Sequence, residues 1–175
     1  MLKRMITNLK DIIIKPSEAI PRIIQENDMK SAVLVLFIIA VLYVLPEGFD
    51  PLVALALGII MLLYWQINTT ITHFAAKMLG AKGSRRSLLI GSAYTWAVDI
   101  YLVPLVLIGM DGLAGLIGFV WVMCLTVLAI KNTYSVSTGK SVGILLLGGI
   151  IQFVLIGILA FLSAPYLEAI RNQMQ

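Results

Sequence analysis

Charged side chains make up 13% of this 175-residue sequence and hydrophobic ones 60%, where a soluble domain carries about 25% and about 45–50%. That shortage of charge excludes soluble enzyme folds and leaves an all-α helical bundle in lipid, the class that absorbs so much apolar surface. Cysteine is nearly absent, and Cys124 alone excludes an internal disulfide or a cysteine metal cluster. Histidine is equally scarce: His73 has Lys77 four residues on, so the two-histidine zinc-protease helix is missing. Asp99 is the lone carboxylate of its apolar stretch, which excludes an aspartyl dyad. Gly91-Ser92 makes no nucleophile elbow. The string STGKS at 137–141 ends like a phosphate loop, but Tyr134 stands where a glycine is required. Ser137 or Thr138 reads instead as the N-cap of a helix. No enzyme, no metal and no cofactor are expected.

What the chain has in quantity is uncharged length. Read from charge to charge, five candidate spans lie at about 31–46, 51–76, 87–110, 112–131 and 141–167, between a lead at 1–30 and a tail at 171–175. A bilayer core of about 30 Å takes about 20 residues at about 1.5 Å each, and four stretches satisfy it. The first, Ser31 to Pro46, is short. It crosses if Lys30 snorkels or the bilayer thins, and otherwise enters and returns on one side.

The loops set the orientation. Twelve of the thirteen lysines and arginines fall in the lead, the second-to-third loop and the fourth-to-fifth loop. The opposite loops, EGFDP at 47–51 and MDG at 110–112, are acidic, and Arg171 stands alone on that side. Retention of basic residues in the cytoplasm gives an N-in, C-out bundle. The net charge of +4 then reads as topology and contact with anionic lipid, not as nucleic-acid binding.

In the lead, Leu2, Met5, Ile6, Leu9, Ile12 and Ile13 recur at helical spacing opposite Lys3, Arg4, Asn8, Lys10 and Asp11. No signal-peptide cleavage site follows. The stripe predicts a helix in the cytoplasmic interface, with Lys3, Arg4, Ile6, Leu9 and Lys10 facing lipid or a partner, or else packed on the ends of the spans. Pro16 ends it. A second short helix follows Ser17, with Pro21 near its first turn.

Inside the apolar stretches runs a polar seam. Gln66, Thr69, Thr70, His73 and Lys77 recur along the second span, and Ser92, Thr95 and Asp99 along the third. Asp99 lies about 12 residues, roughly 18 Å, from the basic loop, near mid-bilayer. There it is expected to meet Gln66, Asn68 and Thr69, with Tyr64, Trp65 and Trp96 nearby. A carboxylate at that depth is the best functional candidate. Its plainer reading is a protonated interhelical hydrogen bond worth about 0.6 to 2 kcal/mol. His73 reads as a satisfied histidine and Cys124 as inert packing. Trp65, Trp96 and Trp121 read as packing or cavity walls. Gly112, Gly115, Gly118, Gly149, Gly157, Ala160 and Ala164 predict close helix contacts, within one chain or between copies. Pro104 is expected to bend the third span, close to Asp99.

Three stretches together, KDIIIKPSEAIPRII, ITHFAAKMLGAKGSRRSLLIGSAYTWA and WVMCLTVLAIKNTYSVSTGKSVGILLL, resemble the Yip domain family, named for members that interact with Ypt/Rab GTPases. The most specific element is H-x-x-A-x-x-x-G-x-x-G-S from His73 to Ser84, a loop pattern containing Lys77, Gly80 and Gly83 and followed by Arg85 and Arg86. The resemblance implies five spans with a cytosolic N terminus. Eukaryotic relatives are similar to adaptors of the early secretory pathway that bind one another and prenylated Rab GTPases through N-terminal regions with an acidic DLYGP-like motif. That motif is missing here, and a lead of about 30 residues has no room for such a region, so Rab binding is not carried over. The compact form resembles prokaryotic members and implies a prokaryotic plasma membrane. The family offers no catalytic residue to transfer.

Two functional expectations follow. The first is a non-enzymatic adaptor or organiser that self-associates, or binds a different membrane protein or lipid, through its lead and basic loops. The second is a small ion-coupled permease in which Asp99 changes protonation. Five spans do not divide into inverted halves, which counts against the permease.

Overall fold

The computed structural model describes residues 2–45 and 48–173, with side chains described through Ser163. Within these residues the protein is all-helical: α1 (Leu2–Ile14), α2 (Pro16–Glu26), α3 (Met29–Val44), α4 (Pro51–Met78), α5 (Arg85–Thr95), α6 (Val98–Leu107), α7 (Asp111–Tyr134) and α8 (Thr138–Gln173). Expectations that rested on Pro46, Glu47, the Ala164 side chain and the tail side chains fall outside the described part.

Local chemistry sets most of the helix ends. Pro16 forbids α conformation to Lys15, which stops α1 and lets Pro16 open α2. Because α2 starts there, Pro21 stands inside the helix, a turn later than expected. Asn27 ends α2 in the left-handed conformation, at φ 51°. Asp28 then caps α3, accepting from the Ser31 amide at 3.1 Å and its hydroxyl at 2.7 Å. Those two bonds hold the Asp28 carboxyl below its ordinary pKa. Asp50 caps α4 in the same way, with Pro51 in the first position. Ser137 caps α8, its hydroxyl accepting from the Lys140 amide, so STGKS is a helix start.

Four stretches are long and apolar enough to cross a membrane: α4, Arg85–Leu107, α7 and the first 26 residues of α8. The apolar helix α3 is shorter, at 16 residues. The third stretch is broken. Around Trp96 and Ala97 the hydrogen bonds tighten to i→i−3, which separates α5 from α6. Pro104 lies inside α6, which continues through it. The interruption therefore falls two turns before the proline.

The break divides the bundle into two halves. In the half bearing the basic loops, α5 packs on α2, α3, α4 and α7. Past the break α6 stays on α7 and touches α3 sparsely, while α4 turns instead to α3 and α8. The helices α3, α4, α8, α7 and α6 thus form a ring in the acidic half.

The lead belongs to the core. Met5, Ile12, Ala19, Ile20 and Ile23 are buried with Leu36, Ile90, Tyr94, Leu125 and Ala129. Gly91 admits this approach: a Cβ there would stand 3.3 Å from the Ile24 side chain. A polar clasp joins α1 to α2. Arg22 donates to Asp11 at 2.7 Å and to Asn8 at 3.1 Å, and Asn8 donates to Glu26 at 2.8 Å. Arg86 adds a bond to Asn27, tying the lead to the start of α5. The stripe expected to share one environment is divided: Met5 and Ile12 are buried and Leu9 half-buried, but Leu2 and Ile6 remain more than half exposed.

Removing a buried lead side chain therefore costs core packing. Ile23→Ala is expected to destabilise by about 2–5 kcal/mol, and Ile6→Ala by less than about 1 kcal/mol. Thermal unfolding of the detergent-solubilised protein checks the contrast, and equal small effects would mean an undocked lead.

Candidate functional site

The loop pattern from His73 to Ser84 proves to be a helix stop and restart. Ala76 is fully buried in a second apolar cluster with Ala75, Ala81, Leu88, Ile130, Tyr134 and Ile144. Gly80 takes φ +68°, and the bonds Gly80 N to Lys77 O and Ala81 N to Ala76 O close α4 in a Schellman motif. Gly83 passes against α7, where a Cβ would fall 2.6 Å from the Thr133 carbonyl oxygen and collide with Tyr134. Ser84 caps α5 by accepting from the Ser87 amide. His73 shares a 2.7 Å hydrogen bond with the Tyr134 hydroxyl. It is a satisfied histidine, as expected. Sequence reasoning missed Tyr134, although it ends α7 at the level where His73 nears the end of α4.

The predicted polar seam separates into three groups. At the basic end, Arg85 donates to Gln66 at 2.7 Å and to Thr70 at 3.0 Å. Deeper, Trp65 donates to Ser92 at 2.9 Å and Thr69 pairs with the same hydroxyl at 3.2 Å. Neither Gln66 nor Thr69 is hydrogen-bonded to Asp99, which corrects the expected partnership. Arg85 draws Gln66 toward the loop, and Ser92, two turns before Asp99, holds Thr69. The partner of Asp99 is Tyr43, whose hydroxyl donates at 3.0 Å from the end of α3. Depth counting could have found it. Tyr43 lies fourteen residues into α3 and Asp99 fourteen past Arg85, each about 21 Å from the basic end.

Tyr43 and Asp99 stand in the wall of a cavity of about 670 Å³ inside the ring. Asn68 and Trp96, two residues singled out from the sequence, line it as well, together with Tyr64, Thr72, Asp111 and Thr126. Tyr64 and Trp96 meet edge to face, with centroids 5.8 Å apart. The cavity reaches from Asp111 at the acidic end to Thr72, Thr126 and Leu145. Beyond them the bundle is filled by the second apolar cluster.

Several small residues do not serve as expected. Gly118 does pack, against Leu102. Gly112, Gly115, Gly149 and Gly157 have open space where a Cβ would be, and Ala160 is exposed. The close approach to α4 is made by Gly148, against Thr72. Cys124 is exposed on α7 rather than packed. Trp65 is buried and Trp96 lines the cavity, but Trp121 lies on the outer surface. Lys3, Arg4, Lys10, Lys77, Arg85 and Arg86 are exposed, and among the described residues Arg22–Asp11 is the one ion pair.

Apolar helices long enough to cross a bilayer, with large apolar side chains exposed along α4, α7 and α8, define a polytopic helical membrane protein. The family model of the Yip1 domain matches residues 10–162, so the chain belongs to the Yip1 domain family. No curated protein matches the chain, and no solved structure does.

The glycines of the loop pattern are separable by experiment. Gly83→Ala is expected to cost about 1–3 kcal/mol, because backbone as well as ring must move, whereas Gly115→Ala, which meets open space, is expected to be neutral within about 0.5 kcal/mol. Thermal unfolding of both variants checks this.

Proposed function

We propose that this Yip1-domain membrane protein is a non-enzymatic adaptor or organiser that binds anionic lipid and partner proteins at its basic, cytoplasmic face. One observation carries the reading. The lead is fixed to the bundle through Met5, Ile12, Ile20 and Ile23, yet it holds out Leu2 and Ile6 beside Lys3 and Lys10. An apolar strip flanked by lysines suits the boundary between acyl chains and anionic headgroups. Arg85 and Arg86 extend the basic face. Each is exposed and hydrogen-bonded to an uncharged side chain, which leaves its charge available to a phosphate.

In this reading α3 crosses as a fifth, short span with Lys30 snorkelling. The N terminus is cytoplasmic and the C terminus opposite. The membrane is a prokaryotic plasma membrane, by the likeness of the compact chain to prokaryotic members. Self-association uses the outer side of α8, whose Phe153 and Phe161 are about four-fifths exposed, while a different partner protein docks at the basic face.

Native mass spectrometry of the protein relipidated with equal phosphatidylglycerol and phosphatidylcholine tests the lipid arm. The wild type is expected to retain the anionic lipid several-fold over the zwitterionic one. Arg85→Glu and Ile6→Asp lose that preference, and Asp99→Asn keeps it. Equal retention of both lipids by the wild type refutes the reading. A permease would instead show flux in liposomes that Asp99→Asn abolishes.

A further inference from the structure

The cavity in the acidic half has a lining chemistry that the adaptor reading does not use. Its charged side chains are the carboxylates Asp99 and Asp111, and no lysine, arginine or histidine lines it. The rest of the wall is mainly apolar and aromatic. Tyr43 occupies one oxygen of Asp99, Oδ2. The other, Oδ1, has no hydrogen-bond donor among the described residues and lies on the Gly118 side, 3.9 Å from where a Cβ would stand on that glycine. Close by, Tyr64 and Trp96 present an edge-to-face pair to the same space. The volume of about 670 Å³ falls in the range of small-molecule sites, about 300–1,000 Å³.

We propose that this cavity is a binding site for a lipophilic monocation, an organic amine, quaternary ammonium or phosphonium carrying apolar substituents. The free oxygen of Asp99 provides the counter-charge. The aromatic rings of Tyr64 and Trp96 in the lining attract a cation that has shed its water. Leu102, Val103, Val106 and Val122 offer surface to the apolar substituents. An anion of the same shape is repelled by both carboxylates and finds no cationic side chain in the lining to offset the repulsion. A neutral acyl chain would fill the volume but would gain nothing from Asp99. The inference is independent of the adaptor reading, because it concerns the opposite half of the bundle.

Tetraphenylphosphonium and tetraphenylborate have the same shape and opposite charge, which makes them the discriminating probes. The test is equilibrium binding of each to the full chain in nanodiscs of zwitterionic lipid. Saturable binding of the phosphonium at one site per chain is expected, with no saturable binding of the borate. Asp99→Asn preserves an acceptor for Tyr43 and is expected to weaken the phosphonium by at least tenfold. Trp96→Leu weakens it several-fold, and Ile67→Ala, on the outer side of α4 and away from the cavity lining, leaves it unchanged. Should Asp99→Asn fail to fold, Gly115→Phe decides, because its ring enters open space beside the cavity and is expected to abolish binding. Saturable binding of both ions alike overturns the proposal. So does phosphonium binding that survives Asp99→Asn, or Gly115→Phe where the former does not fold. Absence of saturable phosphonium binding overturns it equally.

Discussion

The length of α3 governs the acidic half of this molecule. Sixteen residues reach about 24 Å, short of an apolar layer of about 30 Å. The helix ends one residue past Tyr43. Beyond that level the neighbours of α3 lose a wall, and α6, freed by the break at Trp96 and Ala97, stays with α7 instead of following α4. The cavity lies alongside this end of α3, against Ile39, Leu42 and Tyr43, where α6 and α4 part. Tyr43 and Asp99 bond across the most sparsely packed joint of the ring. A single hydrogen bond there is worth only about 0.6 to 2 kcal/mol, so the joint between α3 and α6 is the part of the ring most easily opened.

The basic half is built on the opposite condition, an excess of apolar surface in the lead. Ile24 enters the groove that Gly91 leaves open beside Ala129 of α7, Ile20 and Ile23 are buried in the same core, and the Asn8–Arg22–Asp11 clasp holds α1 to α2. The lead is consequently both a core element and a surface element. Its buried side fixes its position, and its exposed side sets what the basic face of the bundle offers. The Gly80–Gly83–Ser84 turn completes this half by laying the start of α5 against Tyr134.

Much of the plan was legible in the sequence because helices in lipid leave simple marks. Long uncharged stretches located α4, α7 and α8, and Pro16 separated α1 from α2. The Yip-family loop pattern was recognisable as a string, but its meaning was not, since it depends on Tyr134 more than sixty residues later. The break at Trp96 and Ala97 carries no proline or glycine, so nothing local announced it, whereas Pro104 announced a bend and sits inside a continuous α6. Asp99 stood out by its depth. Its partner did not, because the expectation paired consecutive spans and overlooked α3, where Tyr43 reaches the same level. The outward positions of Cys124 and Trp121 are rotational facts about α7, whose apolar residues lie all round it and give no preferred face.

The orientation and the cavity we propose together put the Gly115 wall, one turn from Asp111, within reach of water from outside. Gly115→Cys, made in a Cys124→Ser background, places a thiol on its wall near Asp111. Labelling intact cells with a membrane-impermeant maleimide is the most direct measurement, with Ala76→Cys as the buried comparison. Rapid labelling at position 115 from outside, with none at position 76, is the predicted result. Position 115 remaining unreactive in intact cells while labelling in denatured protein would contradict both the open cavity and the orientation of the bundle.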